Sequence, residues 1–338
     1  MEEKKQKLGS LFMIGLPGPD LDDSTLRLIR EHHINNFIIF RRNVVEPGRL
    51  RSLCGKLVRA CLNTGLAAPL ISIDQEGGTV ARLPEPFCRF RGARELADSD
   101  NPEKEVLKYA RTCAQELLDV GINMNFAPVL DVCPVGKGCF MELRSFGDDP
   151  ERVAELGRLV IEEMENIGVA ACGKHFPGLG AALFDPHEKL PVVTESADLI
   201  RARDLVPFKT AISAGVASIM ISHTVYSRLD PEELATMSGR IVTDLLRIEL
   251  GYNGLIITDD LEMGAITQGG SISHAALKAF CAGVDLLLIC HDHDVVEASV
   301  SALNYGLDSG LISPERVSAS TARLTTIRKR FKVKIPGT

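Results

Sequence analysis

The stretch PERVAELGRLVIEEMENIGVAACGKH, residues 150–175, combines a helix pattern with a strand pattern that follows it directly. In its first part, apolar residues recur at roughly helical spacing, with acidic residues on the other side. Its last part, VAACGKH at 169–175, runs through apolar and small residues before it ends in Lys174-His175. An apolar run without polar alternation is typical of a strand buried on both faces. The stretch therefore predicts a helix followed by a buried parallel strand.

The same kind of apolar run occurs eight times along the chain. The runs are LFMIGL (11–16), NFIIF (36–40), LISID (70–74), NMNFAPVLDV (123–132), VAACGKH (169–175), ASIMISH (217–223), GLIITDD (254–260) and VDLLLIC (284–290). Helix-like stretches lie between them, such as 99–121, where a Ser/Asp/Asn capping signal precedes Pro102. Eight strands alternating with helices predict an α/β fold, a single (β/α)8 TIM-type barrel. The alternative is a doubly wound open sheet, which is disfavoured because no GxGxxG follows the first run.

The overall composition is that of an ordinary globular protein. The chain has 338 residues, of which 45% are hydrophobic and 25% charged. No linker-like or low-complexity stretch divides it, so we expect one domain spanning residues 1–338. The net charge of −7 does not indicate nucleic-acid binding. No apolar run approaches the roughly 20 residues that cross a bilayer, and we identify no signal peptide. We therefore expect neither a nucleic-acid nor a membrane partner.

The nine cysteines indicate a reducing compartment. Their number is odd, no CxxC pair occurs, and Cys172, Cys281 and Cys290 lie inside apolar runs. Reduced, buried thiols are typical of cytoplasmic proteins, so we predict a cytoplasmic location. The nearest candidate for a metal cluster is CHDH at 290–293, which we interpret as a loop after a strand. We predict no metal site and no cofactor.

Polar side chains lie at or just after the ends of six of the eight runs. They are Asp74, Asp131, Lys174 with His175, His223, Asp259 with Asp260, and His291. In (β/α)8 barrels, active sites lie at the carboxyl ends of the strands. Because charged groups are costly to bury alone, their convergence at one end of the barrel predicts a polar pocket.

The residue types at these ends suit glycoside hydrolysis. Asp259 follows GLIIT, and a carboxylate placed there can attack an electrophilic carbon and form a covalent intermediate. His187 can donate and accept the proton, since imidazole titrates near neutral pH. Asp185 can hold the histidine tautomer, and Pro186 between them restricts the backbone. Asp260 is expected to point away from Asp259, because successive strand residues face opposite sides.

Five segments together resemble the motifs of a known enzyme family. They are DQEGGTVARL (74–83), NFAPVLDV (125–132), LRSFGDDP (143–150), KHFPGLG with DPH (174–187) and IITDDLEMGAI (256–266). Their order and spacing are similar to those of bacterial β-N-acetylglucosaminidases of glycoside hydrolase family 3. The resemblance is to the single-domain cytoplasmic members, which act in peptidoglycan recycling. It implies one catalytic barrel domain that removes a terminal N-acetylglucosamine from 1,6-anhydromuramoyl peptides.

The resemblance also implies a role for each site residue. It places the nucleophile at Asp259, the acid/base at His187 and the residue that orients it at Asp185. The positions that hold the sugar are Asp74, Arg82, Arg144, Lys174 and His175. Asp131 and His223 are expected to support these groups. The chain departs from the family pattern at Leu179, where histidine is common, and at Pro186, where serine is common.

Other interpretations remain open from the sequence. A phosphorylase would keep Asp259 and use phosphate as the acceptor, because a neutral histidine does not repel an anion. A Schiff-base lyase would use Lys174 as the nucleophile, which the motifs disfavour. A sugar-binding protein without activity is disfavoured because Asp259 and His187 are both present. The alternative to a sugar-binding role for Arg144 is an ion pair with Asp148 or Asp149.

Overall fold

Eight parallel strands close into a barrel in the computed structural model, which describes residues 8–134, 139–180, 182, 191–267 and 269–333. The barrel strands are β1 (Phe12–Gly15), β2 (Asn36–Ile39), β3 (Leu70–Ile73), β4 (Met124–Asn125), β5 (Ala170–Phe176), β7 (Ser218–Ile221), β9 (Leu255–Asp260) and β10 (Leu286–Ile289). Their order around the barrel is β1-β10-β9-β7-β5-β4-β3-β2. The predicted TIM-type barrel is confirmed, and each of the eight apolar runs overlaps one of its strands.

The fourth run differs most from its prediction. Only Met124–Asn125 is regular strand within the predicted 123–132, because Pro128 has no N–H to donate to a ladder. The chain beyond β4 still follows β5 through backbone hydrogen bonds. Cys172 donates to the Ala127 carbonyl at 2.9 Å, and Leu130 donates to the Lys174 carbonyl at 2.6 Å. The barrel wall is thereby continued without a regular strand.

Helices cover the outside of the barrel. They are α1 (Asp23–His32), α2 (Pro47–Asn63), α3 (Ala93–Ala97), α4 (Pro102–Asp119), α5 (Pro150–Ile167), α6 (Ala197–Leu199), α7 (Leu205–Ser213), α8 (Gly264–Thr267), α9 (Ile272–Ala282), α10 (His293–Asp308) and α11 (Pro314–Arg330). Two π-helical segments, Ile200–Asp204 and Arg240–Glu249, add to this layer. The predicted cap ahead of Pro102 is confirmed, because the Asn101 side chain accepts from the Lys104 N–H. None of the described helices is long and apolar enough to cross a membrane.

Two glycines allow α5 to pack closely on the barrel. A β-carbon at Gly157 in α5 would lie 2.4 Å from the Leu130 side chain, and one at Gly173 in β5 would lie 2.6 Å from it. Leu130 is fully buried between them. Because interiors are close-packed, an added methyl group has no space at either position. The packing of Leu130 between these glycines fixes the position of the segment after β4, which carries Asp131.

A second, two-stranded parallel sheet was not predicted. It pairs β6 (Val192–Val193) with β8 (Val225–Tyr226). Tyr226 is buried and donates its hydroxyl to the Gly178 carbonyl at 2.9 Å, which ties this sheet to the loop after β5. One cysteine prediction was also wrong, because Cys281 is exposed although it lies in an apolar run. It lies on the outward face of the amphipathic α9.

Candidate active site

A cavity of about 260 Å³ lies at the carboxyl ends of the barrel strands. Six of the eight predicted site residues line it: Asp74, Arg82, Arg144, Lys174, His175 and Asp259. Its other lining residues include Phe40, Phe126, Phe140, Leu179, Glu262, Met263 and His291. Asp185 and His187, with Pro186, lie outside the described residues. The tertiary structure therefore brings together all the predicted site residues whose placement it describes.

Lys174 is at the centre of a buried network of charges. Its ammonium lies 2.8 Å from Asp74 Oδ1 and 2.6 Å from Glu76 Oε1. Arg144 donates two hydrogen bonds to the same Glu76 carboxylate, from Nε at 2.9 Å and from Nη2 at 2.8 Å. Bidentate arginine–carboxylate pairs fix geometry as well as charge. The network thus holds Lys174 and Arg144 rigidly at the cavity wall.

These contacts argue against a Schiff-base role for Lys174. Burial by itself lowers the pKa of Lys174, but the carboxylates of Asp74 and Glu76 outweigh it and raise the pKa above its ordinary value. A nucleophilic lysine needs a depressed pKa so that the free amine is present at neutral pH. The fixed ammonium is instead suited to donating hydrogen bonds to oxygen atoms.

Glu76 is the functional residue that the sequence interpretation missed. Burial raises its pKa, but Lys174 and Arg144 outweigh burial and lower it to about 2. The alternative partners considered for Arg144 were therefore wrong, because Arg144 pairs with Glu76. The sequence feature that could have identified Glu76 is its position between Asp74 and two consecutive glycines. Both glycines have positive φ in the structure, Gly77 at 92° and Gly78 at 56°. These glycines make the tight turn that returns Glu76 to the cavity.

Arg82 presents an unsatisfied donor at the cavity. Its Nη2 lies 3.7 Å from Asp74 Oδ2, which is a weak contact. Its Nε is buried and has no hydrogen-bond partner among the described residues. Since Arg82 lines the cavity and pairs only weakly with Asp74, its guanidinium is loosely held at the cavity wall.

Asp131 orients His175 and the loop that follows it. The carboxylate is fully buried and accepts from His175 Nδ1 at 2.8 Å. It also accepts from the backbone N–H groups of His175, at 3.2 Å, and Leu179, at 2.6 Å. Because the carboxylate accepts the hydrogen bond from Nδ1, the other ring nitrogen, Nε2, is left for a different partner. Asp131 thereby supports the site without lining the cavity, as predicted.

Asp259 and Asp260 both line the cavity, although strict alternation along a strand would place only one of them there. The physical reason is an irregularity between β9 and β10. Leu286 pairs with Ile257 but Leu288 pairs with Asp260, so one extra residue is inserted in β9. Such a bulge breaks the strict alternation of side chains. The two acids share one cavity, but they have different neighbours.

The neighbours of the two acids give them opposite pKa shifts. Burial by itself raises the pKa of Asp259, but His175, His223 and Lys174 outweigh it and hold the pKa below its ordinary value. For Asp260, burial and the nearby charges of Glu262 and Asp259 raise the pKa to about 7. Asp259 is therefore the acid that stays ionised at neutral pH, as a nucleophile requires.

His223 lies behind Asp259 and is fully buried. Its Nδ1 is 2.7 Å from the Thr236 hydroxyl, and its Nε2 is 3.0 Å from the Asp260 carbonyl oxygen. The Nε2 contact is a bond from the ring N–H to the backbone carbonyl, which fixes the end of β9. His223 thus supports the strand that carries Asp259.

Replacing Glu76 with glutamine should test the charge network. Neutralising Glu76 leaves Arg144 without its buried counter-ion, so we expect the free energy of unfolding to fall by roughly 3 kcal/mol. Urea denaturation of the two proteins measures this difference. The matched control is Glu162→Gln, because Glu162 pairs with Arg158 at 2.6 Å on the exposed face of α5. A control of this kind should change stability by at most about 1 kcal/mol.

The same residue predicts a pH dependence of stability. The folded-state pKa of Glu76, about 2, is below its ordinary value of 4.5. The unfolded chain therefore binds the proton first, so the Glu76 contribution is present above the ordinary value and is lost as pH falls toward the folded pKa. We expect the parent to lose more stability than Glu76→Gln as the pH is lowered through this window. Parallel loss in both proteins would contradict the prediction.

Comparison with known proteins identifies the family. Residues 3–327 match the glycosyl hydrolase family 3 N-terminal domain. A β-hexosaminidase from Pseudomonas aeruginosa strain LESB58 is 35% identical over 297 residues, which are 87% of this chain and 86% of that protein. The family 3 β-N-acetylglucosaminidase from Paenibacillus sp. superimposes with a TM-score of 0.93 and 38% identity, covering 97% of this chain and 62% of that chain.

A further solved structure is NagZ from Neisseria gonorrhoeae in complex with N-trifluoroacetyl-D-glucosamine. It superimposes with a TM-score of 0.77 and 28% identity, covering 95% of this chain and 98% of that chain. The barrel, the carboxylate pocket and these matches define a glycoside hydrolase. The chain belongs to glycosyl hydrolase family 3, and the enzyme is of the β-N-acetylhexosaminidase type. The resemblance of the five segments to β-N-acetylglucosaminidases of glycoside hydrolase family 3 is confirmed.

Proposed function

We propose that this enzyme is a retaining exo-β-N-acetylglucosaminidase in which Asp259 is the nucleophile. The observation that carries the proposal is a buried carboxylate that lines the cavity and whose pKa His175, His223 and Lys174 hold below its ordinary value. A single sugar fits a cavity of this size, and the surrounding donors and acceptors match its hydroxyl and amide groups. His187 is the proposed acid/base and Asp185 its orienting partner, on the basis of the family motif alone.

In the first proposed step, the Asp259 carboxylate attacks the anomeric carbon. His187 gives its proton to the leaving oxygen, so that the glycosidic bond breaks and a glycosyl-aspartate ester forms. Charge builds up on the sugar ring in the transition state, and the Asp259 carboxylate stabilises it. In the second step, His187 takes a proton from water, and the resulting nucleophile displaces Asp259 from the anomeric carbon.

Five residues are proposed to hold the sugar. Asp74 has the acceptor capacity for sugar hydroxyls, and Lys174, Arg144 and Arg82 have the donors for sugar oxygens. The weak 3.7 Å contact of Arg82 with Asp74 leaves the Arg82 guanidinium available to a sugar oxygen. The Nε2 atom of His175 is not engaged by Asp131 and is proposed to bond a hydroxyl or amide group of the sugar. Leu179, which lines the cavity in place of the family histidine, offers only an apolar contact.

The proposed natural substrate is an N-acetylglucosaminyl-1,6-anhydromuramoyl peptide derived from peptidoglycan, and the proposed location is the cytoplasm. The family motifs and the N-acylated glucosamine bound by the Neisseria gonorrhoeae relative support the sugar. The free cysteines of the described chain, with no disulfide among them, support a reducing compartment. We further propose that residues 1–338 act as one catalytic domain.

The direct test is turnover of an aryl N-acetyl-β-glucosaminide in parallel with the matching β-glucoside. We expect turnover of the N-acetylated substrate and a clear preference for it. Preference for the plain glucoside would contradict the proposal. Product analysis with and without phosphate separates hydrolysis from phosphorolysis, since only a phosphorylase would form a glycosyl phosphate.

Turnover should be unchanged in EDTA. Among the described residues, Asp260, Glu262 and His291 place possible ligand atoms within 4.8 Å of one another. However, Glu262 already accepts the backbone N–H groups of residues 290–292 at 2.7, 2.6 and 2.9 Å. Its carboxylate has little remaining capacity for an ion, and the proposed chemistry needs none. Loss of activity in EDTA that added metal restores would contradict this prediction.

A further inference from the structure

Two cysteines lie together beside the active-site cavity. Cys133 and Cys139 pack in one small apolar cluster with Val129 and Met141. Both thiols are free and buried, with exposed fractions of 1% and 4%. Burial and the neighbouring Cys139 thiol raise the pKa of the Cys133 thiol. Glycoside hydrolysis at Asp259 has no use for a pair of thiols.

The pair is connected to the cavity on both sides. Cys139 begins a turn in which Arg144 N–H donates to the Met141 carbonyl at 2.9 Å, and Arg144 Nη1 lies 3.4 Å from Met141 Sδ. Cys133 lies against the loop after β5, because a β-carbon at Gly180 would be 3.0 Å from the Cys133 nitrogen. Each cysteine therefore adjoins a part of the molecule that reaches the cavity, and because interiors are close-packed we expect a displacement of either one to affect Arg144 or that loop.

We propose that Cys133 and Cys139 are a covalent modification site, which a small-molecule disulfide converts into an intramolecular disulfide that weakens sugar binding. The Cys139 thiolate attacks one sulfur of the reagent disulfide and releases the first reagent thiolate. The Cys133 thiolate then attacks the Cys139 sulfur of the mixed disulfide and releases the second. The protein loses two protons and two electrons, and the reagent becomes two thiols.

The order of the two attacks follows from the environment of each sulfur. The raised pKa makes Cys133 a poor first nucleophile, because the thiolate is the attacking species. Once Cys139 carries the mixed disulfide, Cys133 is already in contact with it, and the second attack is intramolecular. Closing the bond draws the sulfur atoms to about 2.05 Å, which is shorter than a contact between two thiols. The turn that carries Met141 and Arg144 must then shift.

The experiment uses the full chain, reduced and then incubated with oxidised glutathione. Peptide mapping by mass spectrometry should show a Cys133–Cys139 link with the loss of two hydrogen atoms. The KM for an aryl N-acetyl-β-glucosaminide should rise by on the order of tenfold to 100-fold, as expected for a displaced binding group. Dithiothreitol should reverse both changes. Cys139→Ala should abolish the reversible effect, and Cys133→Ala should leave glutathione on Cys139 without forming the link, whereas the exposed Cys88→Ala should keep both the link and the effect.

Three outcomes would overturn the proposal. One is glutathione on the exposed Cys88 and Cys281 without a Cys133–Cys139 link. Another is a quantitative link with unchanged KM. The third is reversible inhibition that persists in Cys139→Ala. The peptide mapping is done on the parent protein and needs no enzymatic activity. It therefore tests for the Cys133–Cys139 link even if one alanine variant fails to fold.

Discussion

Replacing Asp259 with asparagine is expected to lower kcat for an aryl N-acetyl-β-glucosaminide by on the order of 10⁴-fold or more, as for other residues that form a covalent intermediate. The amide cannot attack the anomeric carbon as a carboxylate does, so the covalent route is closed. The change is close to isosteric, and loss of activity without loss of stability would separate chemistry from folding. Thermal unfolding of the two proteins gives the second measurement.

The matched control is Asp260→Asn, because both acids line the same cavity. Asp260 has a pKa raised to about 7, so much of it is already neutral at neutral pH, and we expect a much smaller loss. Trapping with a slow fluoro-sugar, followed by peptide mass spectrometry, should place the glycosyl adduct on Asp259. An adduct on Asp260 would overturn the assignment, as would similar losses in the two variants.

Replacing His187 with alanine should cost about 10²–10⁴-fold with a natural disaccharide, which is the usual contribution of general acid–base catalysis. An activated aryl glycoside hardly needs the acid in the first step, but hydrolysis of the intermediate still needs the base. The second step should then become limiting, and a burst of released phenol should appear. Stopped-flow measurement of the phenol distinguishes this from a general loss of activity.

Two further variants sharpen the His187 prediction. Asp185→Ala should show the same pattern more mildly, since Asp185 is proposed only to orient and polarise the imidazole. His274→Ala is the control, because His274 is exposed in α9 and does not line the cavity. If His187→Ala kept natural turnover within about tenfold of the parent, below the usual acid–base range, the role assigned to His187 would be wrong.

The barrel was predictable from the sequence because its strands are buried on both faces. A residue buried on both sides of a sheet must be apolar, so runs such as LISID and VDLLLIC are visible without any knowledge of their partners. The polar residues that follow such runs were also predictable as a group, since parallel strands carry their ends to the same side of the barrel. This reasoning identified Asp74, Lys174 and Asp259 as neighbours although they are far apart in the chain.

The sequence by itself therefore determined the fold, the end of the barrel where the site lies and the residue types at that site. Only the tertiary structure decided which charges are paired. Glu76 joins Lys174 and Arg144 by contacts between distant segments, and no local pattern specifies such pairs. The presence of Asp260 beside Asp259 at the cavity is related to an extra residue in β9, which becomes visible only when β9 is paired with β10. Side-chain periodicity is a property of one strand, whereas register and ion pairing are properties of two.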